Sequence, residues 1–290
     1  MSEIVQHCPL CGGDRSNLFD RREFKGQVVV NRECISCGLI YQSPRMTKDE
    51  TDEFYESEYR LLYQGGEDPT TKDLAVQRAR AASLLNFMTP HVKRVSRHLD
   101  IGCSTGVLLQ EIGKTFSCQS VGVEPGKAYR DYAGQQGLTV YESLEVLKEK
   151  DGARFDLISM AHVLEHLPEP VNELAALREE LLTPDGCLLI EVPNLYAHDC
   201  FEVAHLVSFS AHTLTQTLQK AGYDVIALKP HGHPRSDLVP FYLTVLAHPS
   251  TGTFSPTIIP ERSVSMKRKL GILRRRLLAR LLPGKVWKPV

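Results

Sequence analysis

The sequence predicts an α/β fold, a parallel sheet with helices on both faces, and three observations lead there. From Arg94 onward short apolar runs alternate with helical stretches, the pattern of strands joined by helical crossovers. The runs VSRHLDIG, SVGVEP, LTVY, FDLISM, GCLLIEVP, YDVIALK and FYLTVLAH make seven strands. The first of them runs into an acid and a turn of small residues, LDIGCSTG, Leu99 to Gly106. With 290 residues, 42% of them hydrophobic and 24% charged, the chain has material for a sizeable core. No apolar run reaches the roughly 18 residues of a membrane span. The start, MSEIVQHCPL, lacks the basic-then-apolar pattern of a secretion signal, and a cytoplasmic location is expected.

Ahead of the sheet, residues 1–45 read as a zinc ribbon. CPLCG, with Cys8 and Cys11, is followed after 22 residues by CISCG, with Cys34 and Cys37. Two such knuckles, each with a glycine after its second cysteine, supply four thiolates to a tetrahedral Zn²⁺. A closed four-thiolate site leaves no position for water or substrate, so the expected role is structural: it holds a segment too small to be stable through its own core. FKGQVVVNREC between the knuckles reads as a hairpin with a glycine turn. His7 is a bystander. Neither pair follows a strand and opens a helix, as a redox-active pair would. Residues 46–92 then form a helical linker or lid. Thr47 and Glu50 make a capping box for a helix through DETDEFYESEYR, GGEDPTT is a loop, and a second helix runs from about Leu74 to Met88.

In an open α/β sheet, ligands bind beyond the carboxyl ends of the strands, anchored by the turn after the first strand. That turn lacks the dinucleotide fingerprint: Ser104 stands where the second glycine belongs and Val107 where the third belongs. It also lacks the G-K-[ST] of a phosphate loop. What remains is Asp100 ahead of the turn, Gly102 and Gly106 within it, and Glu124 at the end of the second strand, 24 residues beyond Asp100. Glu124 is spaced to accept hydrogen bonds from ribose hydroxyls. Asp100 would be repelled by phosphate and suits a ligand with a cationic end, such as S-adenosylmethionine.

HLDIGCSTG, VGVEPG, FDLISMAHVLEHLPEP and LLTPDGCLLIEVPN, in that order and spacing, resemble the successive motifs of class I S-adenosylmethionine-dependent methyltransferases. The resemblance covers about Ala75 to Pro249 and implies the Rossmann-like seven-stranded sheet of that class over residues 93–250. The ribbon, CGLIYQSPRMT and HLVSFSAHTLTQTLQKAGY are similar to a subgroup from bacterial surface-sugar and secondary-metabolite pathways, related in its amino-terminal half to nucleotide-sugar C-methyltransferases. It implies that Asp100, Gly102, Cys103 and Gly106 line the methionine part of the donor and that Glu124 holds the ribose. It further implies that Met160, Ala161 and His162 border the cofactor and that the turn near Glu142 reaches the adenine.

Methyl transfer to a hydroxyl or carbon acid requires a base, which directs attention to histidines near the strand ends. His166 and His205 are the candidates, with His162 offering main-chain contacts to the donor. Glu165 and His166 form either a base with its orienting carboxylate or a tie within their loop. Ala204 stands where the C-methyltransferases carry an acid, which leaves O-methylation as the expected chemistry. Metal binding by Glu165, His166 and Glu169, or by the HGHPRSD loop, is a weaker reading than a solvated loop and a mobile substrate-side loop.

Residues 251–290 form a basic tail. From Arg262 onward there are ten Lys and Arg and no acid, so the tail carries +10 against a chain total of −1 and leaves −11 on the rest. MKRKLGILRRRLLARLLP places Leu270, Leu273, Leu277 and Leu281 at helical spacing. This amphipathic helix is expected to pack its leucines on the acidic body or on a second subunit, or to lie on an anionic membrane surface. The expected partner is a small or glycan-linked acceptor. The acidic body opposes the rival readings of RNA methylation and nucleic-acid binding; a binding module that has lost catalysis is the other alternative.

Overall fold

Seven strands build the central sheet of the computed structural model, which describes residues 3–47, 50, 51, 54, 68–199, 201–252 and 257–288. Three elements precede it: β1 (Ser16–Phe24), β2 (Gln27–Cys34) and β3 (Ile40–Gln42). Helix α1 (Thr71–Met88) leads into the alternating run β4 (Arg97–Ile101), α2 (Val107–Phe116), β5 (Gln119–Val123), α3 (Lys127–Gln135), β6 (Thr139–Tyr141), α4 (Leu144–Lys150) and β7 (Phe155–Ala161). Next come α5 (Pro170–Ala176), β8 (Leu182–Pro193), the short β9 (Val207–Ser208), α6 (Ala211–Lys220), β10 (Tyr223–His231) and β11 (Tyr242–Pro249). The chain closes with α7 (Val264–Leu281) and α8 (Pro283–Val286).

All seven strands read from the sequence are present, in the order β10-β11-β8-β7-β4-β5-β6. Six point the same way, and β11 alone is reversed, antiparallel to both β8 and β10. The sheet is therefore mixed rather than parallel throughout. The β10–β11 connection contains no helix, so the chain turns back on itself instead of crossing over. The order reverses between β4 and β7, which makes their carboxyl ends the natural ligand crevice.

Two apolar layers sandwich the sheet. On one face Ala81, Leu84 and Met88 of α1 pack with Leu108 and Ile112 of α2 against Leu157, Leu189 and Leu246. On the other, Leu174, Leu214 and Leu218 from α5 and α6 share a single cluster with Leu99, Ile158 and Ile190, and this cluster also takes in Leu10, Leu39 and Tyr41 of the amino-terminal segment. Helix α1 begins at Thr71, three residues earlier than the periodicity indicates. Thr70 caps it by accepting from the Asp73 N–H while Asp73 accepts from the Thr70 N–H, a reciprocal box that uses Asp in place of Glu. The Thr47–Glu50 box is also formed, with the Glu50 carboxylate 2.9 Å from the Thr47 backbone nitrogen; most of the helix read after it lies outside the described residues.

The β1–β2 hairpin turns at Lys25 and Gly26, both with positive φ (49° and 83°), the geometry that matches strand twist in a two-residue turn. Strand β3 pairs with β2 on one side and with β9 on the other, Ile40 opposite Ser208 and Tyr41 opposite Val207. Two residues from the connection after β8 thus complete a sheet begun about 190 positions earlier in the chain.

The basic helix contradicts the expectation that its leucines face the body. Leu270, Leu273, Leu277 and Leu281 are 55–66% exposed. The opposite face, made of Val264, Arg268, Gly271 and Arg275, is the one turned inward. Arg268 donates to the carbonyls of Leu195 and His198, and Arg275 donates to that of Ala197. Their guanidiniums lie over the rings of Phe201 and Phe241, at 4.1 and 4.9 Å. A Cβ on Gly271 would overlap the Tyr196 carbonyl, so the helix sits too close for any larger residue. Periodicity showed which residues share a face. Free carbonyls in the connection after β8 decided which face binds.

Gly106 caps α2 in the left-handed region (φ 78°), and a Cβ there would run into Leu138. Gly106→Ala is expected to lower unfolding free energy by about 1–3 kcal/mol in urea melts. Gly134, inside α3 with open space around it, is the contrast: Gly134→Ala should be neutral or stabilising by up to about 1 kcal/mol.

Candidate active site

The turn after β4 is shaped by three consecutive devices. Gly102 takes φ 70°, and a Cβ there would stand 2.5 Å from Val163 Cγ2, so the turn needs glycine on both counts. The N–H groups of Gly102 and Cys103 both donate to the Val123 carbonyl, drawing the turn onto the end of β5. Ser104 then donates its N–H to Glu124 Oε2, while Gly126 donates to Glu124 Oε1, each at 2.9 Å. The carboxylate is thereby fixed in orientation.

Asp100, at the end of β4, is 3% exposed and accepts a hydrogen bond from Ser159 Oγ on the neighbouring strand. Ser159 is in turn 2.8 Å from His98 Nε2, and His98 Nδ1 is 3.3 Å from Ser120 Oγ, a polar thread across β7, β4 and β5. Burial lowers the His98 pKa to about 3, so this ring is neutral. Burial, opposed by the Ser159 hydrogen bond and reinforced by the charge of Glu124, raises Asp100 to about 7.

Across the crevice, His162 holds a left-handed backbone (φ 59°) directly after β7. Its Nδ1 is 3.2 Å from Glu165 and its Nε2 is 3.4 Å from Glu191. Glu191 is fully buried near the end of β8 and gathers Arg80 of α1 (2.9 Å), His231 (3.2 Å) and the Thr244 hydroxyl (3.1 Å). Burial works against charge on Glu165 and Glu191. The paired histidines outweigh it only jointly with nearby positive charge: His162 with His166 and His205 at Glu165, and His162 and His231 with Arg80 at Glu191, which hold both carboxyls well below the usual range. Burial and Arg80 likewise disfavour a cation on His162, but its two carboxylate partners win and raise its pKa.

His166 lines the same crevice. Its Nδ1 donates to the Ala204 carbonyl at 2.8 Å, and its Nε2 is 4.0 Å from Glu165, beyond hydrogen-bond reach. The orienting group is therefore a backbone carbonyl, and Glu165 belongs to His162. Burial lowers His166 to about 4, which keeps the ring neutral at physiological pH. His205 stacks edge-on against His166 at 4.9 Å from the interior side. Glu169 turns away to Arg45, so the acid cluster apparent in the sequence is not one in space. The grouping that does form is Glu165, His166 and His205, whose ligand atoms lie within 4.8 Å of one another.

A cavity of about 720 Å³ joins these walls, with Asp100, Gly102, Cys103 and Glu124 on one side and Ala161, His162 and His166 on the other. That volume suits a nucleoside-sized ligand together with a small acceptor. Two carboxylates and close-approaching backbone fit the donor expected from the sequence. Met160 lies in the core behind the crevice, and Gly106 faces α3 and the segment after it; neither lines the cavity. Glu142 points outward, 3.9 Å from Arg130. Arg80, Glu191, Thr244 and Tyr242 were not singled out in the sequence. The one signal was a lone acid in the apolar strand LLIEVP, the mark of a carboxylate that must be compensated where it is buried.

A protein-family model described as a methyltransferase domain matches residues 74–228. The chain belongs to the methyltransferase-domain family. Among curated proteins it is similar to the ubiquinone biosynthesis O-methyltransferases of Nitrosococcus oceani (31% identity over 118 residues, 38% of this chain and 49% of that protein) and Histophilus somni (29% over 136 residues, 43% and 55%). The chain thus spans about half the length of the curated relatives it matches. Among solved structures, the 1,6-didemethyltoxoflavin-N1-methyltransferase of Burkholderia thailandensis, determined with 1,6-didemethyltoxoflavin and S-adenosylhomocysteine, superposes with TM-score 0.57 at 18% identity, covering 80% of this chain and 99% of that one. A SAM-dependent methyltransferase from Archaeoglobus fulgidus gives 0.50 at 20% identity, covering 66% and 97%. At these identities the likeness establishes the fold.

The four amino-terminal cysteines also converge. Cys8 and Cys37 sulfurs are 3.5 Å apart, as are those of Cys11 and Cys34, and all four lie within 4.8 Å of one another. Zinc–sulfur bonds of about 2.3 Å at tetrahedral angles place sulfurs roughly 3.8 Å apart, so the set fits a closed tetrahedral site.

The raised pKa of Asp100 gives a test of the donor site expected from the sequence. A carboxyl that ionises near pH 7 is about one-tenth charged at pH 6 and nine-tenths charged at pH 8. Affinity for a cationic donor should therefore rise about tenfold over that interval. Asp100→Asn should flatten the profile in calorimetric titrations.

Proposed function

We propose that this chain transfers a methyl group from S-adenosylmethionine to a hydroxyl oxygen of a small-molecule acceptor. The observation that carries this reading is one cavity with two carboxylates on its first wall and a neutral, oriented imidazole on its second. When bound, the donor supplies an electrophilic methyl carbon on a sulfonium, and the carbon–sulfur bond breaks as the carbon–oxygen bond forms. Asp100 and the close-approaching backbone at Gly102 are assigned to its methionine part, and Glu124 to its ribose hydroxyls.

His166 is assigned the acceptor's proton. Its Nδ1–H is committed to the Ala204 carbonyl, so Nε2 carries the lone pair that receives the proton as the oxygen attacks. His205 sits behind that ring and fixes its tilt, a positioning role. His162, clamped between Glu165 and Glu191, shapes the wall between donor and acceptor. Arg235 lines the cavity together with Val76, Leu84 and Leu206, which suits a hydroxylated ring bearing an anionic group. The relatives named for ubiquinone biosynthesis O-methylation support oxygen as the atom. A glycan-linked or secondary-metabolite precursor is the acceptor class suggested by the ribbon-bearing subgroup.

Labelled donor offered to hydroxylated aromatic acids and to nucleotide sugars separates the two acceptor classes. His166→Ala should lower turnover by about a hundredfold or more while leaving donor affinity within roughly threefold. His205→Ala should cost less and shift the pH profile. Unchanged turnover in His166→Ala overturns its role.

The Cys8, Cys11, Cys34 and Cys37 cluster is proposed to hold one structural Zn²⁺. Metal analysis should find one zinc per chain, and Cys34→Ser should lose it. Chelation should lower the melting temperature with little change in donor affinity per folded molecule. Metal-free protein of equal stability would refute the site.

A further inference from the structure

The outward face of α7 is organised more regularly than a solvated surface requires. Met266, Leu270, Leu273, Leu277 and Leu281 are each 55–66% exposed, and at about 100° per residue they occupy a stripe roughly 80° wide. Arg274 lies along one border, while Lys269, Arg276 and Arg280 lie along the other. None of these four cations pairs with a carboxylate among the described residues. The inward face is already committed: Arg268 and Arg275 bind the carbonyls of residues 195, 197 and 198, and Gly271 presses on Tyr196. The helix is thus held to the body by its back, and its apolar front stays clear.

The geometry points to α7 as a membrane-surface anchor that lays this leucine stripe into an anionic lipid leaflet. Charge complementarity selects the occupant. A second copy of the helix placed on the stripe would bring cationic borders against identical cationic borders, and no acid occurs from residue 262 to the carboxyl end to relieve them. An anionic bilayer accepts the leucines among its acyl chains and the flanking Lys and Arg at its headgroups. The helix is too charged to span, and no described helix is long and apolar enough to cross a membrane. It lies in the plane of the surface. The carboxyl-terminal segment carries the attachment to the acceptor side: Lys285 accepts from Ser236 and Asp237, Lys288 donates to the Arg235 carbonyl, and Trp287 lies against Arg235 and Phe241. Arg235 itself lines the cavity.

Flotation of the full chain with vesicles of phosphatidylcholine alone, or mixed with phosphatidylglycerol, tests this. Binding is expected only to the anionic vesicles, weakening as salt rises. Leu270→Glu/Leu273→Glu should reduce it by about tenfold or more, as should Lys269→Gln/Arg276→Gln/Arg280→Gln, with melting temperature and donor affinity little changed because these side chains lie on the exposed side of the helix. Should the glutamates disturb folding, Leu273→Ala/Leu277→Ala reads the same loss more gently. Absence of vesicle binding overturns the proposal. So does a dimer in light scattering that the leucine substitutions dissociate without any vesicle binding, and so does salt-sensitive binding to bulk RNA that the cation substitutions abolish and the leucine substitutions leave intact.

Discussion

A carboxylate removed from water must find donors or give up its charge, and Glu191 is the place where this structure meets that demand. It is fully buried at the carboxyl end of β8, and its partners come from four separate parts of the chain: Arg80 from α1, His162 from the segment after β7, His231 from β10 and Thr244 from β11. None of these contacts is interchangeable with solvent. Together they fix how closely the helix from the amino-terminal half approaches the sheet and how His162 is turned beside the cavity. Tyr242 closes the group, with its ring 5.7 Å from the Arg80 guanidinium and edge-on to His162 at 5.3 Å. The His162 wall of the crevice is in this sense a single electrostatic unit.

The Asp100 wall works on a different principle. There the preorganised element is backbone: two N–H groups tie the turn to Val123, and two more orient Glu124. Asp100 is the exception, a side chain whose burial keeps it close to half-ionised near neutrality. The two halves of the crevice therefore differ in readiness, one fixed in charge and the other adjustable.

Much of this was legible in the sequence, and the reasons differ by element. The seven strands were readable because each is a short apolar run bounded by turns. The turn after β4 was readable because an acid and two glycines at fixed spacing serve few purposes. The sheet order was not, since strand-by-strand periodicity carries no information on neighbours, and the antiparallel return of β11 follows from a connection without a helix. Arg80 was one of several arginines in a helix, and nothing local marks it as the partner of an acid more than a hundred residues away. The tail shows the same limit from the other side: spacing revealed a leucine face and an arginine face, but the binding of arginine to carbonyls outweighed the burial of leucine.

The pairing of β3 with β9 has a consequence for how such a chain can be altered. The knuckle segment is not an ornament that can be exchanged for another module, because its edge strand supplies the ladder partners of Val207 and Ser208, immediately after His205 and Leu206. Cutting the chain before the main sheet would leave a raw edge next to the very stretch that orients His166. A shortened variant retaining every crevice residue would therefore inherit a frayed wall, and its loss of performance would come from missing architecture rather than missing chemistry.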